Sequence, residues 1–272
     1  MTTSIGFPGL GIPDMNVNPT AFTIFGRDIA WYGIIIACGM VLAYLYAASK
    51  MKKEGISTND FLDVVIFTVP AAIVFARAFY VLFSLNEYDS FYEMLAIWNG
   101  GISILGAVIG GALTIICITK FKKISTLKTL DAIAPAVLIG QILGRWGNFV
   151  NAEVYGRATD LPWRMRISND LLGVIEVHPL FLYESLWNLL GFVLANILYK
   201  NKKYDGQIFL FYLFWYGLIR SVLELMREDT YVLKTFSGLP VSFMISAVAC
   251  ASAIIIMIYK KFRKQHTKEE QI

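Results

Sequence analysis

The chain has 272 residues, 57% of them hydrophobic and 16% charged, where a soluble domain carries about 25% charged residues. That balance excludes an ordinary soluble domain and predicts a membrane protein. The formal net charge of +4 reflects membrane topology. No basic stripe with interleaved aromatics accompanies it, which excludes nucleic acid as a partner and points to anionic membrane lipid.

Residues 1–28 are rich in Gly, Pro and Asn and lack the basic and apolar regions of a signal peptide, so the first span is expected to insert uncleaved. Apolar runs follow at 29–49, 62–84, 102–119, 129–145, 179–199, 207–225 and 239–259. Each is close to the ~20 residues a helix needs to cross hydrocarbon. The fourth is the least regular, interrupted by Asp131, Pro135 and Gln141.

The first, third, fifth and seventh runs are each followed by a basic cluster. These are Lys50/Lys52/Lys53, Lys120/Lys122/Lys123/Lys128, Lys200/Lys202/Lys203 and Lys260/Lys261/Arg263/Lys264/Lys268, fifteen of the 24 basic residues. Arg27, Arg157, Arg164, Arg166, Arg227 and Lys234 fall on the other side, and Arg77, Arg145 and Arg220 lie within or at the ends of spans. The positive-inside rule then places the N-terminus outside and the C-terminus in the cytoplasm. An even number of spans would spread the clusters over both sides. The expected fold class is all-α, a polytopic membrane protein with about seven transmembrane helices. Residues 1–272 read as a single integral-membrane domain, with outer-face excursions at 85–100 and 146–177 and a cytoplasmic basic tail at 260–272.

Small residues recur four apart at Gly106/Gly110 and Gly140/Gly144, a spacing suited to close helix packing in a membrane. Gly100-Gly101 could alternatively offer bare backbone to a lipid. Cys38, Cys117 and Cys250 lie in apolar runs and read as inert packing residues. The chain has no GxxxxGK[ST] loop, no GxSxG elbow and no HExxH site. Its only histidines are His178 and His266, so no metal site is expected.

What remains is a set of guanidiniums, carboxylates and amides at the outer half of the membrane. Charge is costly near hydrocarbon, which makes such a set a candidate site. In the run 144–157, GRWGNFVNAEVYGR, a helical turn would bring Arg145, Asn148 and Asn151 roughly onto one face. The competing reading is a surface loop that wets the interface. Arg220, Glu224 and Arg227 share a face of the sixth span, with Arg227 expected to neutralise Glu224 and leave Arg220 free for another partner. Two planar forks at similar depth, Arg145 and Arg220, suit a phosphate at headgroup level. Tyr32 opens the first span, and His178, Tyr183 and Glu184 open the fifth. Trp31 and Tyr183 read as interfacial anchors, and His178 as a loop end before Pro179. Arg77, more central, needs a partner or a lipid phosphate.

The stretch Gly144-Arg145-Trp146-Gly147-Asn148-Phe149-Val150-Asn151-Ala152-Glu153-Val154-Tyr155-Gly156 resembles the signature of bacterial prolipoprotein diacylglyceryl transferases. Trp31-Tyr32-Gly33, Gly100-Gly101 with Ser103, Asp131 with Pro135, His178-Pro179 with Tyr183-Glu184, and Arg220/Glu224/Arg227 resemble further family motifs in the same order. The resemblance covers about residues 25–260. It implies transfer of the diacylglyceryl group of phosphatidylglycerol to the lipobox cysteine of prolipoprotein signal peptides, at the outer face of the bacterial plasma membrane. The reaction forms a thioether, releases glycerol phosphate and needs no cofactor. The implied catalytic set is Arg145, Arg220, Tyr32, Asn148, Glu153 and His178. Substrate binding is implied for Arg145, Arg220, Asn151, Gly156, Glu224, Arg227, Gly100 and Gly101.

Two positions depart from the pattern. Many family members carry histidine or tyrosine where this chain has Leu105, and glutamine where it has Phe181. Leucine can neither take a proton nor donate a hydrogen bond. The acceptor thiol, only a few per cent ionised near neutrality, must then be activated by Tyr32, by His178 or by the arginine field. The alternative is a non-catalytic paralogue that binds phosphatidylglycerol or lipoprotein signal peptides. A solute transporter is disfavoured because no inverted repeat or paired broken helix is visible.

Overall fold

The computed structural model describes residues 3–169, 173–228 and 238–269. Lys234, residues 170–172 of the second excursion and the end of the basic tail, 270–272, lie outside the described residues.

Eight α-helices are present among the described residues: α1 (Trp31–Lys53), α2 (Thr58–Phe83), α3 (Phe91–Leu95), α4 (Ile104–Phe121), α5 (Thr126–Val150), α6 (Leu180–Lys200), α7 (Gln207–Met226) and α8 (Val241–Glu269). All but the short α3 are long and apolar enough to cross a membrane, the span of α8 being Val241–Phe262. Large apolar side chains such as Val41, Leu45, Val108 and Ile255 stay exposed on these helices, which is costly in water and costs nothing in lipid. The chain is a multi-pass, predominantly helical membrane protein. Cys38 and Cys117 are free thiols on exposed helix faces rather than packing residues.

The described residues divide into two compact units. The smaller, Ala48–Ala132, is built on α2 and α4. A Cβ at Gly106 would lie 2.4 Å from the Phe75 carbonyl, and one at Gly110 would lie 2.4 Å from Phe75 Cβ. This glycine pair therefore marks backbone contact between helices, as its spacing predicts. The other pair does not: Gly140 has nothing within 4 Å, and Gly144 meets only Ile36 Cδ1 at 3.5 Å. Arg77 is buried, and its partners are backbone carbonyls. It donates to Met94 at 2.9 Å, Glu93 at 2.7 Å, Gly100 at 2.6 Å and Gly101 at 2.7 Å. One guanidinium thus satisfies the open end of α3 and the turn into α4.

The larger unit comprises Met1–Ala47 and Ile133–Ile272. Beyond the ends of its spans it carries strands β1 (Thr3–Phe7), β2 (Ile12–Val17), β3 (Thr20–Ile24), β4 (Arg27–Ala30), β5 (Met165–Asn169) and β6 (Gly173–Val177). None of these strands is expected from the apolar runs. Four form an antiparallel sheet in the order β2-β1-β5-β6, with Ile5 opposite Ile167, and β3 and β4 form a separate hairpin leading into α1. Ile5 and Ile167 are fully buried, packed with Met165, Val177, Tyr155 and Phe181. Phe181 belongs to the first turn of α6, so the sheet is seated on that helix end. The Phe181 ring also lies 4.7 Å from Phe149 and 5.4 Å from Trp146, centroid to centroid.

Candidate active site

α5 runs five residues past the predicted fourth apolar run, which places Arg145 and Asn148 inside the helix. It closes through two bonds, Glu153 N–H to the Asn148 carbonyl at 3.0 Å and Ala152 N–H to the Phe149 carbonyl at 3.0 Å. This is a Schellman closure, with Ala152 at φ 53° where glycine is usual. The closure turns Glu153 back over the helix end. Its carboxylate accepts from Asn148 Nδ2 at 2.8 Å and Asn151 Nδ2 at 3.4 Å. Asn151 lies past the helix and reaches the cluster through Glu153, not through helical spacing. Val154, a β-branched residue at φ 58°, keeps the turn tight.

Arg145 donates from Nη1 to Asn148 Oδ1 at 3.0 Å and from Nη2 to Glu184 Oε1 at 2.8 Å. Glu184 is also 3.8 Å from Arg220 Nη1, so one carboxylate on α6 bridges arginines of α5 and α7. Arg220 Nη2 lies 2.7 Å from Glu224 Oε2, close but poorly aligned for a hydrogen bond, and Arg227 Nη1 is 3.7 Å from the same oxygen. The expected division of labour is therefore reversed: Arg220 is the nearer partner of Glu224. The reason is local. Arg227 has extended backbone, φ −72° and ψ 150°, because α7 has already ended.

The two carboxylates are nearly sealed, each 2% exposed, while the three arginines keep 16–18%. Each arginine side chain thus faces a sealed carboxylate and keeps part of its surface exposed. Three guanidiniums face two buried carboxylates, and the exposed carboxylate of Glu153 joins the cluster through Asn148. Burial pushes the Arg227 guanidinium below its ordinary range, and Arg220 and Arg145 push the same way against the pull of Glu224. Tyr216, one turn before Arg220, is a further partner of Arg145.

Backbone bonds knit the ends of these helices together. Gly156 N–H donates to the His178 carbonyl at 3.0 Å, His178 N–H to Arg157 at 3.1 Å, and Arg157 N–H to Met226 at 2.9 Å. A Cβ on Gly156 would sit 2.8 Å from His178 Cβ and 3.0 Å from the Met226 carbonyl, so only glycine fits this crossing. His178 enters the cluster by its backbone; its Nδ1 is 3.2 Å from the Tyr183 hydroxyl, which also accepts from Trp163 Nε1 at 2.6 Å. The Tyr32 ring packs where a Gly147 side chain would be, 2.6 Å from its ideal Cβ. Tyr32 therefore stands beside the turn of α5 that carries Arg145 and Asn148. Gly100 and Gly101 belong to the smaller unit, where their carbonyls hold Arg77.

The family model for prolipoprotein diacylglyceryl transferases matches residues 19–259. The chain belongs to this family. It is 41% identical over 253 residues to a phosphatidylglycerol–prolipoprotein diacylglyceryl transferase of Finegoldia magna, covering 92% of this chain and 98% of that one. Equally named proteins of Clostridioides difficile and Streptococcus suis are each 39% identical over 254 residues. These cover 92% and 91% of this chain, and 98% and 94% of theirs.

Sequence reasoning missed the pairing of Glu184 with Arg145, which no local spacing reveals. It also missed Tyr216. Its signal was present, since Tyr216, Arg220 and Glu224 recur four apart on one helix face.

Proposed function

We propose that this membrane enzyme transfers the diacylglyceryl group of phosphatidylglycerol to the thiol of a lipobox cysteine in prolipoproteins. The carrying observation is the arginine cluster of α5 and α7, backed by the sealed carboxylates of Glu184 and Glu224. A phosphodiester bears one negative charge, and planar forks bind its oxygens in pairs. The names of relatives covering nine-tenths of the chain favour the enzyme over a non-catalytic lipid-binding paralogue.

In the reaction the cysteine sulfur attacks the glyceryl carbon that bears the phosphate. The carbon–oxygen bond breaks, a carbon–sulfur bond forms, and glycerol phosphate leaves with the electron pair. Arg145 and Arg220 stabilise the charge that gathers on the departing phosphate. Asn148, Asn151 and Glu153 hold Arg145 in register, Gly156 keeps the helix ends close, and Glu224 with Arg227 flanks Arg220. The same positive field favours the thiolate over the thiol, each unit of lowered thiol pKa contributing about 1.4 kcal/mol. The thiol is activated by Tyr32, which packs beside Gly147, by His178 or by this arginine field itself.

The basic clusters orient the single integral-membrane domain with its N-terminus outside. That puts the arginine ends of α5 and α7 at the outer face of the bacterial plasma membrane, where prolipoproteins emerge. Arg145→Ala and Arg220→Ala, assayed with phosphatidylglycerol and a lipobox peptide, are expected to lose lipid binding and transfer together. Unchanged transfer in either would remove that arginine from the phosphate site.

A further inference from the structure

One turn inward from the arginine cluster lies a second polar layer that the transfer chemistry does not use. Gln141 precedes Arg145 by four residues on α5, and Asn188 follows Glu184 by four on α6. Since Arg145 and Glu184 meet across the two antiparallel helices, Gln141 and Asn188 face the same seam, roughly 6 Å deeper by helical rise. The Ser185 hydroxyl, bonded to the Ile142 carbonyl at 3.4 Å, holds α6 against α5 at this level. From α7, Tyr212 accepts a hydrogen bond from Gln141 Nε2 at 3.0 Å.

Asn188 is fully buried, and neither its Oδ1 nor its Nδ2 has a protein partner; Gln141 Oε1 is buried and equally unpaired. Orphaned amides this deep in a membrane are costly unless a guest satisfies them. The layer carries no charge, so the guest is neutral. Two acceptors and one donor are offered. A vicinal diol matches that set, supplying two hydroxyl protons and an oxygen lone pair. The terminal glycerol of phosphatidylglycerol is such a diol, and its tether to the phosphate is about as long as one helical turn.

We propose that Asn188 and Gln141 form a neutral subsite that binds the glycerol hydroxyls of the lipid headgroup and selects phosphatidylglycerol among anionic phospholipids. This rests on the proposed function for where the phosphate sits. Buried water could satisfy the same atoms, and a hydroxyl-free lipid separates the two.

The test measures binding of phosphatidylglycerol and of phosphatidylpropanol, which keeps the phosphodiester but lacks both hydroxyls. The full-length protein is held in phosphatidylcholine nanodiscs, and each lipid displaces a chain-labelled phosphatidylglycerol. Wild type is expected to prefer phosphatidylglycerol by at least about tenfold. Asn188→Leu, and to a smaller degree Gln141→Leu, should bring the two affinities together by weakening phosphatidylglycerol alone. Equal binding of the two lipids by wild type overturns the subsite, whatever becomes of the variants, and means that water occupies the layer. A parallel fall for both lipids in both variants also overturns it, leaving the amides a packing role. Transfer to a lipobox peptide is followed in the same nanodiscs. Absent transfer with the headgroup preference intact strikes the transferase reading and leaves the subsite standing.

Discussion

Glu184 holds two guanidiniums at once, 2.8 Å from Arg145 and 3.8 Å from Arg220, while it is itself almost sealed from solvent. Removing its charge would leave three arginines facing a single carboxylate. Glu184→Gln is therefore expected to lower transfer on the order of 100-fold. It should also lower the melting temperature, since breaking a buried pair costs about 3–5 kcal/mol. Wild-type transfer in that variant would reduce Glu184 to a packing partner. The arginines themselves are legible in sequence because a charge inside an apolar run stands out. Their partners are not. Glu184 lies 39 residues from Arg145, and only the meeting of α5 and α6 joins them. The reversed role of Arg227 has a different origin: α7 ends at Met226, so helical spacing does not carry to Arg227.

At the scale of elements, hydropathy located the spans to within a few residues, and where it erred the error was informative. The fourth run continues through Arg145 and Asn148 because Trp146 and Phe149 keep an apolar face toward Phe181. Phe181 acts as the contact between sheet and helix. The strands escaped notice because they are four to six residues long, and β1 meets β5 only across 162 positions, with Ile5 opposite Ile167.

Two predictions belong to this scale. Gly106→Ala would drive a methyl into the Phe75 carbonyl and should cost about 1–3 kcal/mol. Gly140→Ala has open space and should be neutral or slightly stabilising. Thermal melting of the pair checks this, and equal shifts would contradict the packing account. The second concerns Glu176 of β6, directly opposite Arg166 of β5. Arg166, and then Arg164, hold its carboxyl below the usual carboxylate range. Their contribution is fully present above the unfolded glutamate value of about 4.3 and is lost as pH falls through the lower folded value. Amide exchange of the β5–β6 hairpin should accelerate across that acid window in wild type. Glu176→Gln should show no such step, and an identical step in both would assign it to another group.

For the molecule as a whole, composition and the placement of lysines carry the class and the number of spans, because crossing a bilayer imposes one period and one length on every helix. The site is harder to read because it is assembled from the ends of three helices and a turn. The residues were nameable, but the way buried carboxylates aim the arginines was not. The central claim is that this assembly moves diacylglyceryl from lipid to thiol without a proton acceptor at position 105. Its most direct test is incubation of the purified wild type with phosphatidylglycerol and a lipobox peptide, beside Leu105→His, with the peptide product followed by mass. Thioether-linked peptide from wild type, at a rate within about tenfold of Leu105→His, is the predicted result. Product from Leu105→His alone, or from neither while both bind the lipid, would contradict it.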